Sequence, residues 1–222
     1  MDKRVIVITG ATGALGQLAA QTFASRGDSL VLLSRNQSEL DSLARDLTLP
    51  PNRIYTRALD LLDAPTLRAT AEAVAATFGR VHVLIHLVGG WTGGKTIQES
   101  TTDDLSFMLN QHAWTTFHLF QAFTPHLAPN GRVIIVSSPL ATSPTAQMGV
   151  YAAAKSAQET LVLTLAEELR ESGVTANIIQ VKSIDVKGTG KGTSPKEIVA
   201  AMEYLCSDEA SKVTGARIPM YK

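Results

Sequence analysis

The chain has 222 residues, and its 20 Lys plus Arg are balanced by 20 Asp plus Glu, so no net field draws it to nucleic acid or to an anionic membrane. The length suits one large domain over residues 1–222 better than two. The lone Cys206 excludes an internal disulfide and fits a reducing, cytoplasmic setting. The apolar run behind Met1-Asp2-Lys3-Arg4 is too short for a signal segment, and no window approaches the roughly 20 apolar residues that span a bilayer.

Val5–Thr9 reads as a buried strand, because every position is β-branched and the run stops at Gly10. The turn Gly10-Ala11-Thr12-Gly13-Ala14-Leu15-Gly16 then opens into a helical pattern over Gln17–Ser25. Strand, glycine turn and helix N-terminus make a phosphate cradle: glycines let the backbone approach, and free N–H groups meet the anion. In a first βα unit this points to a dinucleotide. Leu30–Ser34 is the second strand, and the residues just beyond it choose between cofactors. NADH calls for an acid that accepts from ribose hydroxyls, whereas this chain offers Ser34-Arg35-Asn36. A guanidinium can pair with a 2′-phosphate, so NADPH (NADP+) is expected over NADH; otherwise Arg35 is a solvated surface residue.

Glu39–Asp46 reads as a short helix closed by Leu49-Pro50-Pro51-Asn52. Ile54–Leu59 is the third strand and leads to Asp60-Leu61-Leu62-Asp63. Asp60 either accepts from the adenine amino group or caps the helix Pro65–Phe78, a role that Asp63 suits better. Val81–Val88 is the fourth strand, followed by the loop Gly89-Gly90-Trp91-Thr92-Gly93-Gly94-Lys95. Ligands of doubly wound sheets sit beyond the carboxyl ends of strands near the switch point, so this loop should border a nicotinamide. Trp91 on it either packs on a substrate ring or plugs the loop base. A long helix is expected from Thr102 to about Leu127, its Phe107, Trp114, Phe117, Phe120 and Phe123 serving as core or subunit contact. Arg132–Ser138, Thr175–Val181 and Val213–Pro219 complete the strands, and Met148–Ser172 and Pro195–Ser207 the helices, with Gly173 as a stop. Almost fully apolar strands alternating with helices argue for a parallel sheet covered on both faces.

Tyr151 and Lys155 are four apart at the start of a helix, so both leave one face a turn apart. A phenol has a reference pKa of about 10, and a neighbouring ammonium favours its phenolate, which turns Tyr151 into a usable acid/base near neutrality. Ser138, thirteen residues before the tyrosine, can steady the oxygen that receives the proton. This set suits reversible reduction of a carbonyl. The five histidines show no metal-ligand spacing, the cysteine has no partner, and Ser138 lacks a nucleophile elbow, so neither a metal site nor a hydrolase is expected.

Gly10, Gly13 and Gly16, Asp60, Gly89, Ser138, Tyr151-x-x-x-Lys155, Asn177 and Thr214-Gly215 together resemble the short-chain dehydrogenase/reductases over essentially the whole chain. The resemblance implies an α/β, three-layer doubly wound Rossmann-type fold with a seven-stranded parallel sheet. It implies that Tyr151 donates the proton, that Lys155 binds the nicotinamide ribose and lowers the tyrosine pKa, and that Ser138 orients the substrate oxygen. The cofactor would lie along Gly10, Thr12, Gly13, Leu15, Gly16, Ser34, Arg35, Asp60, Leu61, Val88, Gly89, Tyr151, Lys155 and Ile184. A homodimer or homotetramer joined through the two long helices, acting on a small-molecule substrate, would be usual.

Several positions depart from the family pattern. His86-Leu87-Val88-Gly89 replaces an Asn-Asn-Ala-Gly run, so hydrogen bonds joining strands must be made otherwise. His112 aligns with the family's relay asparagine, and either holds the relay water itself or packs. Val181-Lys182 stands in place of Pro-Gly, and the substrate loop is short. A narrower likeness, carried by Gly89–Gly94 and by Gln111, Trp114 and Thr115, is to the dihydropteridine reductases. The leading expectation is an NADPH-dependent oxidoreductase acting on a small carbonyl or alcohol. Reduction of a pterin or quinonoid substrate is the alternative, and a catalytically weak nucleotide-binding regulator or scaffold is the alternative outside enzymology.

Overall fold

A computed structural model of the chain describes residues 4–221; the expectation about Met1-Asp2-Lys3 lies outside them. Seven strands form one sheet in the order β3-β2-β1-β4-β5-β6-β7. They are β1 (Val5–Thr9), β2 (Ser29–Ser34), β3 (Ile54–Ala58), β4 (Val81–His86), β5 (Leu127–Ser137), β6 (Thr175–Gln180) and β7 (Arg217–Pro219), and every pairing is parallel. The helices are α1 (Ala14–Ser25), α2 (Gln37–Leu47), α3 (Ala64–Phe78), α4 (Thr102–Leu109), α5 (Thr115–Phe123), α6 (Gly149–Glu168) and α7 (Pro195–Leu205).

Alternation along each strand sends side chains to two cores. Val7, Val31, Leu84, Val133 and Ile135 meet Leu67 of α3, Phe123 of α5 and Val162 of α6. Ile6, Ile8, Leu32, Ile85 and Ile134 meet Phe23 of α1, Leu40 of α2 and Met202 of α7. Phe23 and Phe123 are fully buried, and each such side chain contributes roughly 1.5–3 kcal/mol relative to exposure. This is the expected three-layer arrangement with a seven-stranded parallel sheet. The strand order reverses between β1 and β4, which sets the switch point beside the glycine turn.

The elements start and stop for local reasons. Asn36 caps α2 by accepting from the Ser38 amide, and Asp63 caps α3 by accepting from the Thr66 amide, the role expected of it. Thr101 and Asp104 form a reciprocal capping box on α4. Gly173, at φ +71°, ends the turn Arg170–Ser172 that follows α6.

Two expectations change. The long helix over 102–127 is interrupted: Asn110–Trp114 form one π turn between α4 and α5, and a 3-10 turn at Thr124–His126 carries Pro125 into β5. Of its aromatic stripe, Phe120 and Phe123 are core, whereas Phe107, Trp114 and Phe117 stand on the surface. The last strand is confined to Arg217–Pro219, because Gly215 adopts φ +66° and turns the backbone to hydrogen-bond Ala176.

Candidate active site

The glycine turn joins β1 to α1 at the switch point. Gly10 sits at φ +69°, and a Cβ there would fall 3.1 Å from the Leu87 carbonyl carbon, so a side chain is excluded twice over. Gly16 packs on the backbone of Gly10 and Ala11, which brings the start of α1 against the turn. Gly13, the N-cap of α1, has only the Gly10 oxygen near its missing Cβ, at 3.4 Å, so its surface is open to a ligand. The backbone therefore leaves the kind of cradle that a dinucleotide phosphate needs.

Two adjoining cavities open from this turn. One, of about 290 Å³, is lined by Gly10, Thr12, Gly13, Ser34, Arg35, Asp60, Leu61, Val88 and Gly89. The other, of about 530 Å³, is lined by Gly10, Gly13, Leu15, Gly16, Val88, Gly89, Trp91, His112, Tyr151, Lys155 and Ile184. They share Gly10, Gly13, Leu87, Val88 and Gly89, so they are two ends of one cleft. Every residue expected at the cofactor thus lies along this cleft. At its first end Thr12 and Ser34 hydroxyls bond at 2.8 Å, Asp60 accepts from the Leu62 amide at 2.9 Å, and Arg35 is exposed. Among the described residues no ion pair or hydrogen bond ties the Arg35 side chain down, and its neighbour Asn36 is taken up as the cap of α2.

At the other end Ser138 directly follows β5, buried, and accepts from the Leu140 amide at 3.3 Å. The phenol of Tyr151 is pushed above its ordinary 10.0 by burial, with a hydrogen bond to Ser138 pulling it back in part. This corrects the expectation that Lys155 lowers it. The lysine leaves the same helix face, but its ammonium turns under β5 and donates to the Val136 carbonyl at 3.1 Å and to Gln158 Oε1 at 2.9 Å. Burial instead lowers Lys155 itself, to about 7, against the pull of Glu159.

The two histidines of this end are clamps. His112 rises from the π turn, its ring edge-on to Tyr151 at 5.6 Å between centroids, with Nε2 2.9 Å from the Gly90 oxygen. A carbonyl only accepts, so Nε2 carries the hydrogen, and His112 fastens the Gly89–Gly94 loop. Its Nδ1 is buried without a hydrogen-bond partner among the described residues. His86 Nδ1 meets Thr9 Oγ1 at 2.7 Å, which supplies the link between β4 and β1 that the departure from the family pattern left open. Burial holds both rings down to about 3, so they are neutral at ordinary pH. Trp91 is 62% exposed at the cleft mouth and is no plug; its ring lies by Gly93, which also neighbours Met148.

The model of the short chain dehydrogenase family matches residues 4–196. The chain belongs to this family. The short-chain dehydrogenase is 26% identical to meso-2,3-butanediol dehydrogenase of Serratia marcescens over 99% of this chain and 93% of that protein. It is 24% identical to a 3-oxoacyl-(acyl-carrier-protein) reductase of Thermotoga maritima over 97% of this chain and 95% of that one. A crystal structure of a short-chain dehydrogenase/reductase (glucose/ribitol dehydrogenase) from Brucella melitensis superposes with a TM-score of 0.88 and 26% identity, covering 98% of this chain and 94% of the other. The protein is therefore an NAD(P)-dependent dehydrogenase/reductase that moves hydride to or from a small molecule.

The first cavity also takes in Gln111 and Thr115, singled out in the sequence only for the likeness to dihydropteridine reductases, and the second takes in Lys182 and Val186, for which no cleft role was expected. Gln111 lies in the π turn and Thr115 opens α5 directly after it, and no glycine or proline announces the turn. Lys182 stands two residues beyond β6, so its place after a strand's carboxyl end was the available signal. Among the described residues no helix is long and apolar enough to cross a membrane.

Proposed function

We propose that this short-chain dehydrogenase is an NADPH-dependent reductase of a small carbonyl compound, with residues 1–222 forming one cofactor-binding domain. The observation that carries the reading is the cleft itself. It runs without a break from Arg35, with no carboxylate beside it at the end of β2, to Tyr151 and Lys155. Arg35, Ser34 and Thr12 would hold the adenosine end with its 2′-phosphate, Asp60 and Leu61 the adenine, and Gly10, Gly13, Leu15 and Gly16 the pyrophosphate. Val88, Gly89, Ile184 and Lys155 would hold the nicotinamide end.

Bound NADPH supplies a hydride. The raised phenol fits the complementary task, since burial keeps Tyr151 protonated near neutrality and ready to deliver its proton to the substrate oxygen. Negative charge then develops on the phenol oxygen, and the Lys155 ammonium on the same helix face is there to meet it. Ser138 steadies the substrate oxygen. His112, beside Gly89 and the phenol, takes the relay position through Nδ1, and its grip on Gly90 sets the loop that borders the substrate.

Trp91, exposed at the mouth, supports a substrate with a flat ring, so reduction of a pterin or quinonoid ring is the second reading. The exposed aromatics of the interrupted helix, Phe107, Trp114 and Phe117, support a homodimer or homotetramer that covers them. Cys206 is buried, its thiol pushed up to about 12, which suits a thiol kept reduced in the cytoplasm. The test is a titration of the purified protein with NADPH and with NADH, read by nicotinamide fluorescence. Tighter NADPH binding supports the reading, and a preference for NADH removes Arg35 from its role.

A further inference from the structure

Behind the cleft lies a buried polar cluster around Glu159 that the proposed reaction does not use. Glu159 lies one turn along α6 from Lys155, on the same face, and its side chain is 1% exposed. Its Oε1 accepts from Gln180 Nε2 at 2.9 Å, and its Oε2 from Arg217 Nε at 2.5 Å. Gln180 closes β6 and Arg217 opens β7, so a carboxylate on the helix is held by two strands of the sheet. A second set lies beside it on α6: Lys155 donates to Gln158 Oε1, and Gln158 Nε2 donates to Thr116 Oγ1 at 2.9 Å. On the Glu159 side Arg217 reaches water, its side chain 38% exposed.

A carboxylate inside a sheet–helix interface is expensive unless a nearby cation and donors compensate it. Gln180 and Arg217 give each carboxylate oxygen one donor, and Arg217 supplies the compensating charge. The buried position makes sense from the side of the lysine. The Lys155 ammonium meets two amide oxygens and lies near the neutral rings of His86 from β4 and His112 from the π turn, while Tyr151 and the cationic Lys182 line the same cavity. Glu159, buried one turn along the same face of α6, is an acid whose charge favours the ammonium and opposes the effect of burial.

We infer that Glu159 is a positioning residue that fixes the charge of Lys155, and that Arg217 regulates how much of the Glu159 field reaches the lysine. The proposal rests on Lys155 acting in the proposed reaction, where an uncharged amine would give no support to the phenolate left when Tyr151 delivers its proton. Glu159 then serves catalysis without touching substrate or cofactor. Arg217, drawing on the same carboxylate from the opposite side, weakens that support.

The two partners give opposite signs, which separates this role from simple packing. Lysine labelled with ¹³C at the ε carbon reports the charge of Lys155 by NMR in the full-length protein, without cofactor or turnover, with Lys155→Arg identifying the resonance. Glu159→Gln should lower the midpoint of that titration by about one pH unit or more. Glu159→Asp should restore it in part, and Arg217→Gln should raise it. With substrate and NADPH, the alkaline limb of the rate–pH profile should move in the same directions. Midpoints that stay put in both variants overturn the proposal, as does movement the same way in both, which marks disturbed packing. If Glu159→Gln does not fold, Arg217→Gln on the sheet edge carries the test alone, and an unmoved or lowered midpoint refutes it. Because the NMR readout needs no reaction, a failure of the proposed function leaves this result legible.

Discussion

Gly16 offers a sharp test of the glycine turn, because two ordinary effects oppose each other there. Gly16 lies in the first turn of α1, where replacing glycine by alanine in a helix normally gains roughly 0.5–1 kcal/mol. In this structure the new Cβ would fall 2.3 Å from the Gly10 oxygen, 2.8 Å from Ala11 Cα and 2.9 Å from the Ala11 carbonyl carbon. All three are backbone atoms, so nothing can swing aside, and overpacking of this kind costs about 1–3 kcal/mol. Packing wins. For a chain of this size each kcal/mol is worth about 2–4 °C, so Gly16→Ala should melt several degrees below wild type and lose NADPH affinity with it. Gly13→Ala is the internal control: its Cβ meets only the Gly10 oxygen at 3.4 Å, so it should fold as wild type yet bind NADPH more weakly. Thermal unfolding with and without nucleotide reads both. A Gly16→Ala protein that melts with or above wild type refutes the packing of the turn.

Arg35→Ala should weaken NADPH binding about tenfold or more while leaving NADH nearly unchanged, since it removes a charge-assisted contact to the 2′-phosphate alone; equal loss for both nucleotides would contradict this. Thr9→Val keeps the shape of the side chain but strips His86 of its buried partner, which should cost about 1–3 kcal/mol in urea unfolding. His86 and His112 are held at about 3 rather than 6.5, so the unfolded chain takes up protons that the fold refuses. Stability should therefore be flat above the ordinary histidine value and fall as pH drops from it toward about 3, by up to roughly 1.4 kcal/mol per pH unit for each ring. His86→Asn should flatten that slope.

Much of this molecule is written locally. The β-branched run Val5–Thr9, the glycine turn and the apolar strands that follow reveal a doubly wound sheet, because each signal needs only its neighbours in the chain. The same holds for Tyr151 and Lys155, which share a helix face by spacing alone. Direction was not legible. Whether the Lys155 ammonium meets the phenol or the Val136 carbonyl depends on how β5 passes under α6, which no spacing records. The π turn at Asn110–Trp114 contains neither glycine nor proline to mark it, yet it decides that His112 reaches the cleft. The contacts of Glu159 with Arg217 and of Thr9 with His86 join residues 58 and 77 positions apart, and only the folded sheet brings them together.

Tyr151 stands as the proposed acid in an NADPH-dependent reduction. Tyr151→Phe removes the proton and little else, so the decisive measurement sets its turnover of a responsive carbonyl against its NADPH affinity, both relative to wild type. The expected result is that kcat falls by about 10²–10⁴-fold, as for loss of a general acid, while the Kd for NADPH stays close to wild type. A Tyr151→Phe protein that turns over at the wild-type rate would contradict it.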